Sequence, residues 1–401
     1  MGVRSGYKLT EVGVIPEEWE VATTREVCLK IQDGTHFSPR SGGSSEYLYI
    51  TSKNIRFGYM DISSASRINK EQHRFIYKRC DVKKGDLLLT KDGANTGNVA
   101  INTLDEEFSL LSSVAFLRFD ESKYNSGYFL QQFLATPCQR RMQDAMAGNA
   151  ITRLTLGKIN KLKFPIPPTV SEQLAIAEAL SDVDALLNGL ERLITKKRNI
   201  KQAAMQQLLT GKTRLPGFSG EWEMKRLGEI AEIVMGQSPS STNYNTKGDG
   251  LPLIQGNADI VNRRTIKRIF TSQVTKRGQA GDVLMSVRAP VGEVSRATFE
   301  ICLGRGVCAI RFPNDFLYHY LIYLEANWAK HSKGSTFDSV NSADVNAAVV
   351  SLPPIAEQTA IAAVLNDMDA ELEALEKRRD KTSNLKQAMM QELLTGKTRL
   401  L

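Results

Sequence analysis

The chain is written twice, and nothing else in it constrains the fold so strongly. Glu172 to Leu215 reads EQLAIAEALSDVDALLNGLERLITKKRNIKQAAMQQLLTGKTRL, and Glu357 to Leu400 reads EQTAIAAVLNDMDAELEALEKRRDKTSNLKQAMMQELLTGKTRL. The offset is constant, since 357 − 172 and 400 − 215 both give 185. Each copy follows a Pro-Pro pair, Pro167-Pro168 and Pro353-Pro354. Weaker matches extend upstream. Glu18-Trp19-Glu20 answers Glu221-Trp222-Glu223, and Gly85-Asp86-Leu87-Leu88 answers Gly281-Asp282-Val283-Leu284. Gly97 and Gly292 close the loops that follow, and Gly148 and Gly334 precede the approach to each Pro-Pro pair. A long-period repeat means one structural unit used twice. Here that unit is a globular part, a proline stop and a helix, which divides the chain at 1–167, 168–212, 213–352 and 353–401. The helical copies are nearly alike and the globular copies have diverged, as expected of two similar scaffolds whose sites read different things.

Both repeated segments lack internal proline and are rich in Ala, Leu, Gln, Glu and Lys, good helix formers. Pro-Pro before each is a natural boundary, and Gly211 and Gly396 supply the C-terminal stop. Ser171 is the candidate cap of the first helix; the second has Ala356 at that place. Apolar residues recur at Leu180, Val183, Leu187, Leu190 and Ile194, and at Leu365, Met368, Leu372 and Leu375. This 3-4-3 spacing is a heptad seam that wants a partner helix. It falters at Lys197 and Thr382 and is expected to resume at Ile200, Ala204 and Leu208 and at Leu385, Met389 and Leu393. Mutual pairing is favoured because both copies carry the seam in one register. The residues leave open whether the pair is parallel or antiparallel. Each helix spans roughly 55 Å at 1.5 Å per residue.

The globular segments hold short β-branched and aromatic runs broken by glycine and polar turns. Glu46–Ile50, Asp86–Thr90, Val114–Phe119 and Val307–Phe312 read as strands, and Tyr128–Met146 and Phe316–His331 as helices. Strands and helices do not alternate strictly, so the fold class is α+β with mixed, curved sheets. Candidate DNA contacts are the polar and basic residues of the glycine-containing loops. In the first segment they are Thr35, His36, Lys53, Asn54, Lys91, Asn95 and Thr96. In the second they are Gln237, Ser238, Gln255, Asn257, Arg263, Arg264 and Arg288. Asn, Gln and Arg carry forked donors that match adenine and guanine edges, while Lys and Arg also bind phosphates.

Lysine and arginine outnumber the acids 52 to 44, a net charge of +8, which permits a nucleic-acid partner without requiring one. The five cysteines and four histidines show no metal-ligand spacing, so no metal is expected on this chain. No window approaches the 18 apolar residues of a membrane span, and the start MGVRSGYKLTEVG has no signal-peptide core; the cytoplasm is the expected location. Gly211-Lys212-Thr213 and Gly396-Lys397-Thr398 look like the end of a phosphate-binding loop, but Gln206 and Gln391 stand where that motif needs glycine, after a helix instead of before one. Asp182 and Asp184, like Asp367 and Asp369, face different ways on a helix and read as solvated charges. No methyltransferase, hydrolase or nuclease signature stands in the chain. A self-sufficient DNA methyltransferase or nuclease and a coiled-coil scaffold without a DNA role are the rival readings.

In organisation the whole chain resembles the specificity subunit of type I restriction–modification enzymes. The residues that carry the resemblance are Pro167-Pro168 through Glu172-Gln173, Pro353-Pro354 through Glu357-Gln358, and the doubled Leu-Leu-Thr-Gly-Lys-Thr-Arg-Leu ending. The Gly-Asp-hydrophobic runs at Gly85 and Gly281 fit the family's target-recognition domains. The resemblance implies an antiparallel coiled coil separating two recognition domains, each reading half of a bipartite site in double-stranded DNA. It implies two docked methyltransferase subunits that use S-adenosylmethionine to methylate adenine, joined in the full complex by translocase–nuclease subunits using ATP and magnesium. No cofactor and no catalytic residue is expected on this chain. Recognition domains vary among members, so no base contact carries over by position.

Overall fold

The structure, a computed structural model, describes residues 4–37, 39, 46–146, 153–331 and 339–400. Gly148 and Gly334 lie outside the described residues. The chain divides into two compact units, Met1–Leu190 with Arg378–Leu401, and Glu191–Lys377. The division cuts both long helices, so each unit holds one globular part and a stretch of each helix.

In the first unit the main sheet is antiparallel, with strands in the order Cys28–Asp33, Val114–Phe119, Leu87–Thr90 and Val99–Ile101. A smaller mixed sheet centres on Tyr47–Ile50, antiparallel to Ser66–Ile68 and parallel to Ser109–Leu110. A short ribbon pairs Glu20–Thr23 with Lys163–Ile166. The second unit repeats all three. Its large sheet runs Glu232–Met235, Val307–Arg311, Val283–Ser286 and Val294–Arg296, then adds a small hairpin, Arg264–Thr265 with Ile260–Val261. Leu251–Ile254 pairs parallel with Ile301–Leu303 and antiparallel with Phe270–Thr271, and Glu223–Arg226 pairs with Val349–Leu352. The duplication therefore reaches strand order and direction, where residue identity has nearly vanished. α+β describes both units.

The Gly-Asp runs are turn clamps. Gly85 and Gly281 take positive φ, +90° and +94°, which favours glycine. The carboxylates of Asp86 and Asp282 accept the backbone N–H groups of Lys83 and Gln279, each at 2.8 Å. They also bind the guanidiniums of Arg118 and Arg311 on the neighbouring strand. Both acids are buried, and each is satisfied twice over.

One expected helix is two. Tyr128–Met146 splits into Ser126–Leu134 and Thr136–Met146, with Ala135 extended at ψ 139°. Pro137 accounts for the break, since its ring has no N–H for the Phe133 carbonyl four residues back, which the Gln139 side chain satisfies instead.

The long helices span Val170–Leu208 and Ile355–Leu393 and pack antiparallel. Ion pairs show the direction, because partner numbers fall on one helix as they rise on the other. Asp184 pairs with Lys386 in the first unit, and Lys197 with Glu371 and Lys201 with Asp369 in the second. The first helix is capped by Thr169, whose hydroxyl accepts the N–H of Glu172 at 3.2 Å, and not by Ser171, which lies inside the first turn. The seam departs from expectation after Ile194. Ile200 and Leu385, at equivalent places, are 44% and 55% exposed. At this point the buried line passes instead through Thr382 and the stems of Lys201 and Lys386, and it returns to the expected seam at Leu208 and Leu393, which are buried, with Ala204 and Met389 partly buried. A continuous helix turns too far for the apolar face to return at position 200, so a lysine stem fills the line with its ammonium held by an aspartate. Asp184 and Asp369 are accordingly ion-paired, not simply solvated.

The repeated motifs meet across copies. Arg399, ending the second copy, forks onto Glu172, which opens the first, and also reaches Glu18. Arg214, ending the first copy, forks onto Glu357 of the second. Both glutamates are buried. Each arginine lies over a tryptophan, Trp19 or Trp222, and Gly396 and Gly211, with φ near +69° and +67°, pack against the same rings. Gln173 and Gln358 return their side-chain N–H groups to the carbonyls of Pro167 and Pro353. The Pro-Pro, Glu-Gln and Thr-Arg-Leu signatures thus form one clasp, built once in each unit.

Candidate nucleic-acid interface

In each unit four loops gather at one end of the two sheets. In the second unit they follow Glu232–Met235, Leu251–Ile254 and Val283–Ser286 and precede Val307–Arg311. Backbone and hydroxyl bonds stitch them together. Gln237 donates its backbone N–H to Leu303, Arg305 to the Ser238 hydroxyl at 3.0 Å, Gly304 to Ile254, and Val287 to Gly306. Gly236 is required at this crossing, because a Cβ there would lie 2.0 Å from the Gly304 carbonyl oxygen. The result is a cleft of about 460 Å³ lined by Ser238, Tyr244, Gln255, Asn257, Arg288 and Arg305 among others.

Four of the seven residues expected in this unit, Ser238, Gln255, Asn257 and Arg288, therefore share one cleft. Gln237 is exposed beside Ser238. The Gln255 carboxamide donates to the Tyr244 hydroxyl at 2.9 Å, which sets its orientation. The Asn257 amide donates to Glu293, and its carbonyl oxygen is buried without a partner. Arg263 and Arg264 are not brought to the cleft. Asn262 and Arg263, at φ 49° and 59°, form the tight turn of the small hairpin. Arg263 pairs with Glu325 and Arg264 with Glu373 on the helices behind.

The first unit builds the same rim from other residues. Gly34 crosses as Gly236 does, with a Cβ placed 2.0 Å from the Leu110 carbonyl oxygen. Thr35 exchanges backbone bonds with Leu110 and Ser112, Ser52 donates to the Ser113 hydroxyl, and Asn95 donates to the Ser52 carbonyl at 3.4 Å. Thr35 and Asn54 are buried, and the Asn54 side chain binds Thr51 and Asp61 to shape its own turn. Lys91 is 1% exposed, its ammonium 3.0 Å from Asp92 and 3.4 Å from Asp33. Arg153 and Arg79 reach the same two acids, and His36 stands 3.5 Å from Asp33. Lys53 and His36 are exposed, and Asn95 and Thr96 are half-buried.

Sequence reasoning passed over Arg305, Tyr244, Ser112 and Ser113. A signal existed for the first: Gly304-Arg305-Gly306 sets a basic residue between two glycines just before a strand. Among the described residues no group of His, Cys, Asp and Glu could hold a metal ion. All five cysteines are buried, and burial pushes the thiols of Cys80, Cys138 and Cys308 up to about 12, so they are poor nucleophiles. Among the described residues no helix is long and apolar enough to cross a membrane.

Comparison with known proteins agrees with this geometry. The family described as "Type I restriction modification DNA specificity domain" matches residues 16–202 and again 219–382. A Methanocaldococcus jannaschii protein assigned as the specificity subunit of the type I restriction enzyme MjaX is 30% identical, over 98% of this chain and 97% of its own. A solved chain of a type I R-M system, described for its complex assembly and conformational transition, superposes with a TM-score of 0.59 at 25% identity, over 96% of this chain and 99% of that one. The S subunit of a type I restriction–modification system from M. genitalium has the same fold, with a TM-score of 0.66 at 16% identity and 98% of each chain covered.

Proposed function

Because the chain belongs to the type I restriction–modification DNA specificity family, we propose that its two loop rims read the two halves of one divided DNA sequence. It is a non-catalytic DNA specificity subunit of a type I system. One observation supports the finer reading: the same four-loop rim occurs twice with different side chains on it, and both copies are joined to one antiparallel helix pair. In this reading the helix pair sets the unread gap and docks two methyltransferase subunits. These subunits bring S-adenosylmethionine, and translocase–nuclease subunits bring ATP and magnesium. The exposed rim residues Lys53, His36, Gln237 and Arg288, with Asn95, Thr96, Ser238, Gln255 and Asn257, are the contact candidates, while Thr35, Asn54 and Lys91 hold the loops in place.

The test is a matched insertion of seven residues in both helices at the unit boundary, after Leu190 and after Lys377, which keeps the heptad register. Seven residues add roughly 10 Å of helix, about three base pairs of rise. Methylation mapping of the reconstituted complex should show both half-sites unchanged and the gap longer by about three base pairs. An unchanged gap would exclude the helices as the spacer. Binding should also weaken steeply with salt, because phosphates are neutralised. Methylation by the purified chain alone would instead favour a self-sufficient enzyme.

A further inference from the structure

The arginines of the second globular part differ in what they face; Arg214 meets Glu357, and Arg226 lies on the ribbon strand Glu223–Arg226 and does not line the cleft. Arg263, Arg264, Arg268, Arg277, Arg296 and Arg311 each face a carboxylate, respectively Glu325, Glu373, Asp259, Glu300, Asp315 and Asp282. Arg288 and Arg305 have no such partner among the described residues, and both line the cleft. Their backbones are tightly placed. Val287 donates its N–H to Gly306 at 2.9 Å, so the residue before one arginine is bonded to the residue after the other. Gly306 presses on the neighbouring loop, where a Cβ would stand 2.0 Å from the Gln255 carbonyl oxygen. Two guanidiniums with fixed roots and, among the described residues, no carboxylate partner thus line one polar cleft with Gln255 and Ser238.

We propose that Arg288 and Arg305 read guanine, so that the half-site contacted by the second unit is defined by G·C pairs. This rests on the DNA-reading function proposed above. Guanine offers two acceptors, O6 and N7, on its major-groove edge, and the guanidinium fork matches both. A phosphate contact needs only positive charge; these arginines, though exposed, line a cleft beside oriented amide and hydroxyl groups. The first unit is built otherwise at the same places. Asp92 stands where Arg288 does, an acid held by Lys91 and Arg153, and Ser112 and Ser113 occupy the turn where Arg305 and Gly306 stand. Arg79 and Arg153 are committed to Asp33 and Asp92.

The experiment uses the full chain with its methyltransferase partner. Methylation mapping gives both half-sites. A DNA-cleaving probe on Lys276→Cys assigns one of them to the second unit. Lys276 is exposed and its carbonyl accepts from Leu303 beside the cleft, and the five native cysteines are buried and spared. Binding of Arg288→Ala, Arg305→Ala and the corresponding lysine variants is then measured on the cognate duplex. The same measurement is made on duplexes with each G·C pair of that half changed to A·T. Each alanine variant should lower the preference for one G·C pair about 10- to 100-fold, with the other half-site unaffected, and lysine should restore little of it. The proposal is overturned if the assigned half lacks G·C pairs. It is equally overturned if the alanine variants weaken binding to every duplex alike and lysine restores it, which marks a phosphate contact. A wild-type complex without any divided motif would remove the DNA-reading function as well, and so separates the two failures.

Discussion

Replacing Arg399 by alanine should damage the first unit more than replacing its partner Glu172, although both changes delete the same ion pair. The Glu172 side chain is 2% exposed and the Arg399 side chain 20%. Without Arg399, a carboxylate is left buried with neither of the forked N–H groups that now satisfy it. Breaking a buried pair in this way costs about 3–5 kcal/mol. The lower end, about 3 kcal/mol, applies here because the vacated space reaches solvent. Without Glu172, Arg399 keeps Glu18 and its partial exposure, so about 1–2 kcal/mol is expected. Glu172→Gln in the Arg399→Ala background should recover part of the loss, since a neutral amide is cheaper to bury. Hydrogen exchange followed by mass spectrometry resolves the two units separately, which matters because a single unfolding free energy is not defined for a chain of two units. At about 1.4 kcal/mol per decade, Arg399→Ala should speed exchange of the protected amides around Ile176–Leu180 by roughly 150-fold, with little change around Ile361–Leu365. Equal effects of the two single changes, or less than a tenfold effect of Arg399→Ala, would refute the desolvation argument.

Leu180→Ala, at a fully buried seam position, should cost about 2–5 kcal/mol, whereas Ile200→Lys and Leu385→Lys, on exposed positions, should each stay within about 0.5 kcal/mol, read by hydrogen exchange of the unit concerned; a large loss from either lysine would restore the seam expected from the heptads. Burial holds the imidazole of His319 below its ordinary 6.5, against the opposing hydrogen bond that its Nε2 donates to the Asn366 carbonyl oxygen and the Asp369 and Asp315 carboxylates, with Lys201 adding to the depression. Below that value the unfolded chain takes up the proton first, so stability of the second unit should fall as pH drops through about 6.5. His319→Gln should flatten that slope, because Gln131 already bonds Asp184 in the first unit, the position matching Asp369; parallel melting-temperature profiles for the two proteins would contradict this. Gly34→Ala and Gly236→Ala should each abolish recognition of one half-site while exchange protection of the unit's core persists, since the added Cβ collides with a backbone carbonyl of the loop rim; unaltered binding would show that the crossing can relax.

The sequence by itself determined the two-fold repetition, the two long helices with their glycine stops, and the strands around Leu87, Val114 and Val307. These depend on contacts within a few residues, and hydrophobic period and turn chemistry report such contacts directly. It also marked Ser238, Gln255, Asn257 and Arg288 as loop residues of the right chemistry. Tertiary structure alone decided the direction of helix pairing, because an apolar seam is the same stripe read either way. It decided that Arg399 belongs to Glu172 and Arg214 to Glu357, across 227 and 143 residues, and that a lysine stem continues the seam where Ile200 was expected. It also separated free cations from committed ones. Lys91, Arg263 and Arg264 look like Arg288 in sequence but are neutralised by acids that folding brings from other elements. Whether a charge is available to a partner depends on its nearest opposite charge in space, and local sequence does not carry that distance.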